Sequence, residues 1–572
     1  MRRGVRYSWV MGGLLLGCAG GGAAESGSGA TSGSSGATGP TGTAGSSTGD
    51  GMPTTSAETG MAATDADCPG PLERCEGLCV DVLHDPAHCG GCGLGCAKEL
   101  VCIEGTCAVA CGLTATACGP VCSVLATDPE HCGACDHACA PGVACVGGAC
   151  VPDCAAGEQV CGESCVDTGK DEAHCGGCDA ACPEGQPCVY GACVATQLHH
   201  LLISGQSLSC GATSPVVSNA QIYGNLSFNT GVRAGGVGLT GFIPLVETWD
   251  GSQGETIASG LANMIAEQAQ QNGEAHVMLA SAHGVGGQPY SALKKGTAPY
   301  ANGLAQVTAA VGIAAMLGQS HAVRALAIVH GESDHLANNL GYADDLLAWQ
   351  SDYEADVAAI TGATGPLPMF LCQMSSHTKY NSASSRIPAA QLKAARARPD
   401  RVFVVGPKYF MPYTDGVHLT GDGERWLGEY YAKAYRKVLI DGERWLPVQP
   451  ETVTREGAVI TIRFHVPAPP LVFDELLVAN PGNFGFEFSD ASGAPPAITE
   501  VVLVDDVTVR VTLASAPVAG NRRIRYAYTG VAGQPAGPTT GARGNLRDSD
   551  ATASLNGYLL YNWTVHFDEP VE

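Results

Sequence analysis

"LLISGQSLSCG", residues 201–211, is the stretch on which the fold turns. Its apolar run, 201–203, stops abruptly at small and polar residues, as a buried strand does where it meets a loop. Ser207 stands just past the break. It is either an ordinary turn serine or a hydroxyl presented at the carboxyl end of a strand, where open α/β sheets place their sites. Further short apolar runs occur at 277–280, 325–329, 369–373 and 402–405. Helical patterns lie between and after them, at 256–271, 300–317, 343–360, 387–397 and 423–439. Helices alternating with short buried strands predict a doubly wound parallel sheet.

A hydroxyl is a weak nucleophile at neutral pH. It needs a base within hydrogen-bond reach and a group that orients the base. "YTDGVHLTGDGERWLGEYY", 413–431, carries Asp415 and His418 three residues apart, just before the last helix of this region. One short loop can therefore supply base and orienter together. The structural alternative makes His418 a loop residue and Asp415 a capping side chain. "SAHGVGGQPYSALKKGT", 281–297, follows a strand and places Gly286 and Gly287 where backbone N–H groups can approach a ligand. "AIVHGESD", 327–334, follows another strand and carries His330 and Glu332. Ordinary turns account equally well for each of these stretches taken alone.

Taken together, "GQS", the "GG" loop, "HGESD" and "DGVHLT" occur in an order that resembles the SGNH-type esterases, in particular the sialate O-acetylesterase and carbohydrate acetylesterase branch. The resemblance covers about residues 199–440 and implies a flavodoxin-like α/β hydrolase domain. It implies Ser207 as nucleophile, His418 as general base and Asp415 as its orienting partner. The Ser207 N–H and a glycine of the 286–287 pair match oxyanion donors, with Gly254 as an alternative. The family's third block reads Gln-Gly-Glu, and this chain has His330 in place of the glutamine. The imidazole is expected to donate one hydrogen bond in its stead, with Glu332 beside it as a substrate-binding or capping residue. The implied substrate is an acetylated carbohydrate or another small ester, with no cofactor. The competing function is a non-catalytic glycan-binding or adhesive surface protein with a degenerate hydrolase domain.

Towards the N-terminus, residues 68–194 hold three copies of an eight-cysteine pattern, from Cys68, Cys111 and Cys154, with identical internal spacing and a period of 43. Fixed spacing means fixed loop lengths between cross-links. Disulfides and zinc binding at "HCGGC" and "HCGAC" are the two readings, and an exported chain favours disulfides. Eight cysteines allow 105 pairings, so connectivity stays open. The array resembles the Cys-rich modules of myxobacterial-type surface lipoproteins. Cys210 and Cys372 are expected to bridge each other or to remain as two buried thiols. His283, His335 and His377 lack a metal-ligand pattern, and no metal is expected.

Arg2, Arg3 and Arg6 precede an apolar stretch, 9–16, that ends in Leu15-Leu16-Gly17-Cys18. This resembles a bacterial lipoprotein signal with its lipobox, which implies cleavage before Cys18 and lipidation of its thiol. A plain secretory signal is the alternative. Residues 19–67, rich in Gly, Ser, Thr and Ala, form an expected flexible tether with a reach of about 40 Å. After residue 446, "AVITIRFHV", "TEVVLVDDVTVRVTL" and "RRIRYAYTG" alternate in twos and predict a small β-sandwich domain. The expected layout is thus signal 1–18, linker 19–67, repeats 68–194, esterase domain 195–445 and β-domain 446–572. The formal charge of −25 argues against nucleic-acid binding. The expected location is the bacterial cell envelope, with a membrane partner reached through the lipid, or secretion otherwise.

Overall fold

The computed structural model describes Cys68 and residues 72–572, apart from short gaps between 99 and 196 and residues 273 and 275. The signal, Cys18 and the linker lie outside the described residues. One compact unit ends at residue 167 and the next starts at residue 168, so the break falls inside the third repeat rather than at its end.

In the first two repeats the cysteines pair first with third, second with fifth, fourth with seventh and sixth with eighth. The first copy forms Cys68–Cys79, Cys75–Cys92, Cys89–Cys102 and Cys96–Cys107. The second repeats the scheme 43 residues on. Sulfurs that zinc would need are consumed in bridges. The glycine after the motif's first cysteine has a packing role instead. Gly90 has φ +79°, and a Cβ there would lie 2.5 Å from the carbonyl oxygen of Gly105, at the tip of a hairpin. Gly133 meets Gly148, and Gly176 meets Gly191, at 2.4 Å in the same way. The preceding histidine caps the turn: His88 Nδ1 accepts the Gly93 N–H at 3.0 Å, and His131 Nδ1 accepts the Asp136 N–H at 2.9 Å.

From residue 197 a seven-stranded sheet takes over. Its strands are β1 (Gln197–Gly205), β2 (Leu226–Phe228), β3 (Phe242–Pro244), β4 (Val277–Ala282), β5 (Ser320–Val329), β6 (Met369–Gln373) and β7 (Val402–Pro407). The spatial order is β3-β2-β4-β1-β5-β6-β7, parallel throughout except for the β2–β3 edge pair. β1 is central and buried on both faces, which is why its 201–203 segment is apolar without alternation. The helices are α1 (Ile257–Gln271), α2 (Ala298–Met316), α3 (Glu332–Leu336), α4 (Tyr342–Thr361), α5 (Ile387–Ala397) and α6 (Gly421–Tyr435). Thr256 caps α1 by accepting the Ala258 N–H. α1 and α6 touch backbone to backbone: a Cβ on Gly260 would sit 2.1 Å from the Arg425 carbonyl oxygen, and one on Gly428 would sit 2.5 Å from that of Ile257. That contact fixes α6, and with it the loop that carries His418.

Beyond Trp445 the chain forms an antiparallel four-stranded sheet and a three-stranded sheet. Phe464 of the first packs edge-on against Phe486 and Phe567 of the second. These layers share one apolar core with the α/β layer, so residue 446 marks no gap in packing. The Gln373 amide exchanges two hydrogen bonds with the His566 backbone, at 3.0 and 2.8 Å. Lys433 of α6, buried, donates to Asn562 Oδ1 at 2.9 Å and pairs with Asp550 at 2.7 Å. Two stretches of the C-terminal region, 544–550 and 560–567, therefore fasten the β layers to α6 and β6.

Candidate active site

β1 ends at Gly205, where a Cβ would lie 2.1 Å from the Val329 carbonyl oxygen of β5. Only glycine, at φ +140°, lets the chain turn there. Gln206 follows, and Ser207 opens a short 3-10 turn, Ser207–Cys210. The Gln206 Oε1 accepts the Ser333 N–H at 3.0 Å, tying the first block to the third.

At the neighbouring end of the sheet, the loop before α6 brings His418 to this turn. Its Nε2 lies 2.8 Å from Ser207 Oγ. Its Nδ1 lies 2.8 Å from Asp415 Oδ2. Asp415 Oδ1 accepts the Val417 and His418 N–H groups at 2.9 and 2.8 Å, so the carboxylate cannot rotate away. Partial burial works against the charged carboxylate. The hydrogen bonds from the His418 ring and from the two backbone N–H groups outweigh burial and hold the carboxyl well below its usual range. Serine, imidazole and ionised carboxylate thus form one hydrogen-bonded chain, an arrangement suited to proton removal from a hydroxyl.

The other expected site residues are placed differently. His330 is fully buried and faces inward. A neutral ring donates from Nε2 to the Gln288 carbonyl at 3.0 Å and accepts from Tyr342 Oη at Nδ1, at 2.7 Å. Burial lowers its pKa, favouring that neutral form. No ring N–H remains for an oxyanion, which corrects the expectation that His330 takes over the glutamine's role. Of the two readings of Glu332, substrate binding or a structural role, its contacts are of the structural kind. Its Oε1 sits 3.0 Å from Lys408 Nζ and accepts from Ser376 Oγ at 2.9 Å, with both charged side chains fully buried. Burial raises the Glu332 carboxyl, but the Lys408 charge and hydrogen bond bring it below the usual range.

Gly286 and Gly287 lie in the turn after β4, where a Cβ on Gly287, at φ +70°, would meet open space. Gly284, in the same turn, packs against the first block: a Cβ there would lie 2.1 Å from Ser209 Oγ and 2.7 Å from the Gly205 carbonyl oxygen. The legible signal was its place as the first glycine after the strand. Gly254, the alternative donor, spends its N–H on the Gly211 carbonyl at 2.9 Å. Cys372 keeps a free buried thiol, so it does not bridge to Cys210. His283 binds Tyr353 Oη at 2.7 Å and His335 binds Ser385 Oγ at 3.0 Å, each as part of the packing.

Residues 244–437 match the family of carbohydrate esterases described as sialic acid-specific acetylesterases. The chain carries a sialate O-acetylesterase-like SGNH hydrolase domain. The family is one of carboxylic ester hydrolases, and the acetylesterase-like domain is one by that match. Asp415 and His418 lie inside the matched span, whereas Ser207 lies ahead of it. Residues 51–110, 105–153 and 147–196 match the stigma-specific STIG1-like family, one match for each cysteine repeat. No curated protein matches the chain. Similar solved structures include a carbohydrate acetylesterase from Xanthomonas citri, at 13% identity and TM-score 0.41, covering 67% of this chain and 82% of that one. An Arabidopsis thaliana protein aligns at 15% identity and TM-score 0.31, covering 41% and 97%. A carbohydrate acetylesterase from Sinorhizobium meliloti, Est24, aligns at 13% identity and TM-score 0.25, also covering 41% and 97%.

Proposed function

We propose that this protein is an exported serine esterase that removes O-acetyl groups from carbohydrate, held at the cell envelope by a lipid on Cys18. The observation that carries the reading is the 2.8 Å contact between His418 Nε2 and Ser207 Oγ, backed by Asp415. His418 takes the Ser207 proton as Oγ bonds to the ester carbonyl carbon. The Ser207 N–H faces the developing oxyanion. Collapse breaks the bond to the sugar oxygen, which leaves with the proton from His418. Water, deprotonated by His418, then attacks the acetyl-serine and releases acetate and free Ser207. Asp415 keeps the imidazole in the required tautomer and stabilises its protonated form. With His330 turned inward, the oxyanion relies on backbone donors.

The test is hydrolysis of p-nitrophenyl acetate and then of acetylated glycans by the full chain beside Ser207→Ala. The expected loss is about 10⁴-fold or more. Equal rates in the two proteins would end the serine-esterase reading. Glycan binding without turnover by the intact chain would favour the adhesive alternative, which the inward-facing His330 supports. Fractionation of cells into soluble and membrane pools tests the anchor, since a plain secretory signal leaves the protein soluble.

A further inference from the structure

The loop carrying Asp415 and His418 is closed on itself but stands partly in solvent. Thr414 N–H donates to the His418 carbonyl at 2.8 Å, and Tyr413 bridges to Leu419. The side chains of His418 and Asp415 remain 19% and 45% exposed. Its tip is Gly416, at φ +87°. What covers that tip comes from the far end of the chain. The Gly416 carbonyl accepts the Ala536 N–H at 3.1 Å. A Cβ on Gly416 would sit 2.4 Å from Pro535 Cβ, so the proline ring presses directly on the backbone between Asp415 and Val417.

Segment 529–541, which leads away from the strand Arg523–Tyr526, is firmly attached on both sides. Thr529 forms a bridge with Ser384. Gly530 N–H donates to Ala383 at 2.8 Å, and Gly533 N–H donates to Thr378 at 2.7 Å, both on the turn after β6. Thr529 N–H donates to Glu487 at 2.7 Å, and the Pro538 carbonyl accepts from Ala479 at 2.9 Å, both in the β layers. Ala536 itself is buried. The segment is an ordered strap, and it reaches one of the two loops whose placement sets the Ser207–His418 distance.

We infer that segment 529–541 is a positioning element of the active site, in which Ala536 and Pro535 hold the Asp415–His418 loop in register with Ser207. This rests on the reading of Ser207, His418 and Asp415 as the reacting machinery. An imidazole displaced by a fraction of an ångström no longer takes the hydroxyl proton efficiently, whereas substrate contacts elsewhere are untouched.

The experiment uses the full chain with Ala536→Pro, which removes the N–H, and Pro535→Gly, which removes the ring. Ala536→Ser, which keeps the N–H, is the control. Ester hydrolysis, melting temperature and amide hydrogen exchange across 413–419 are measured. Both disrupting variants are expected to lose roughly 10- to 100-fold in kcat, with KM within about twofold. Exchange at 413–419 is expected to accelerate, with α1 and β1 unchanged and the control like the parent. Parental kcat and parental exchange in both variants would overturn the inference while leaving Ser207-dependent hydrolysis standing. So would a loss of kcat that tracks a general loss of stability. If the parent shows no Ser207-dependent hydrolysis, the functional reading falls, and unchanged exchange at 413–419 then overturns the brace as well.

Discussion

In the repeats, the buried apolar side chains are almost all half-cystines, among them Cys75, Cys89, Cys102, Cys118, Cys132 and Cys145, while Leu78, Leu94, Val121 and Val146 stay exposed. In residues 197–572 they are Leu, Ile, Val, Phe, Tyr and Trp, gathered mainly in one core that runs from β1 to the last strand. A bridge closing a short loop contributes about 3 kcal/mol, and a buried Leu or Phe about 1.5–3 kcal/mol. The two currencies are similar per residue but differ in reach. A 43-residue copy has too little apolar surface to build a core, so covalent closure stands in for it. Cross-links fix the chain path without close-packing its side chains. The arrangement of Ser207, His418 and Asp415 needs walls packed to crystal-like density, and only the second region has them.

The comparison breaks most visibly under reduction. Dithiothreitol is expected to unfold the repeats, at roughly 2–5 kcal/mol per lost bridge. Limited proteolysis should then cut throughout 68–167 while the esterase region survives. Survival of the repeats under full reduction would mean that a core had been overlooked there. Lys408→Met tests the packed region by leaving the Glu332 carboxylate buried without its cation. The expected loss is about 3–5 kcal/mol in urea unfolding, largely recovered in the Lys408→Met/Glu332→Gln pair. A change confined to KM would instead restore Glu332 as a substrate-binding residue.

Mild acid gives the smallest effect per group. Burial lowers His283, His321 and His377 to about 4, and His199 and His566 to about 3, from an ordinary 6.5. A histidine whose folded pKa is depressed costs nothing while both states are neutral. As pH falls below 6.5 the unfolded chain takes up the proton first, so stability is lost progressively down to the folded values. At pH 5.5 each such histidine removes on the order of 1 kcal/mol. Protonation of the buried Glu247 carboxyl, pushed up to about 8, acts in the opposite sense, so the histidine share is read by difference: between pH 7 and pH 5 the parent's melting temperature should fall further than that of His321→Gln. The disulfide-linked repeats, whose bridges do not titrate, should move less.

Much of this was legible in the chain. The period of 43 announced the repeats, and each expected sheet strand and helix has an observed counterpart. "GQS" and "DGVHLT" pointed to residues that meet across 211 positions. The three-residue strands β2 and β3 carry no periodic signal, so the sequence does not reveal them. His330 was misjudged because sequence gives a side chain's identity but not its direction. Its fate was settled by Tyr342 and Gln288, which supply a donor and an acceptor on the inner side.

What the sequence determined by itself is what short-range physics governs: strand and helix periods, turn residues, and the loop spacing between cysteines. Tertiary structure alone decided which cysteines pair and that Glu332 and Lys408 neutralise each other. It also decided that Gly416 rests under Pro535 and Ala536. Each depends on residues brought together from distant parts of the chain. Such contacts form only when burial of a shared core outweighs the entropy of closing the long loops between them.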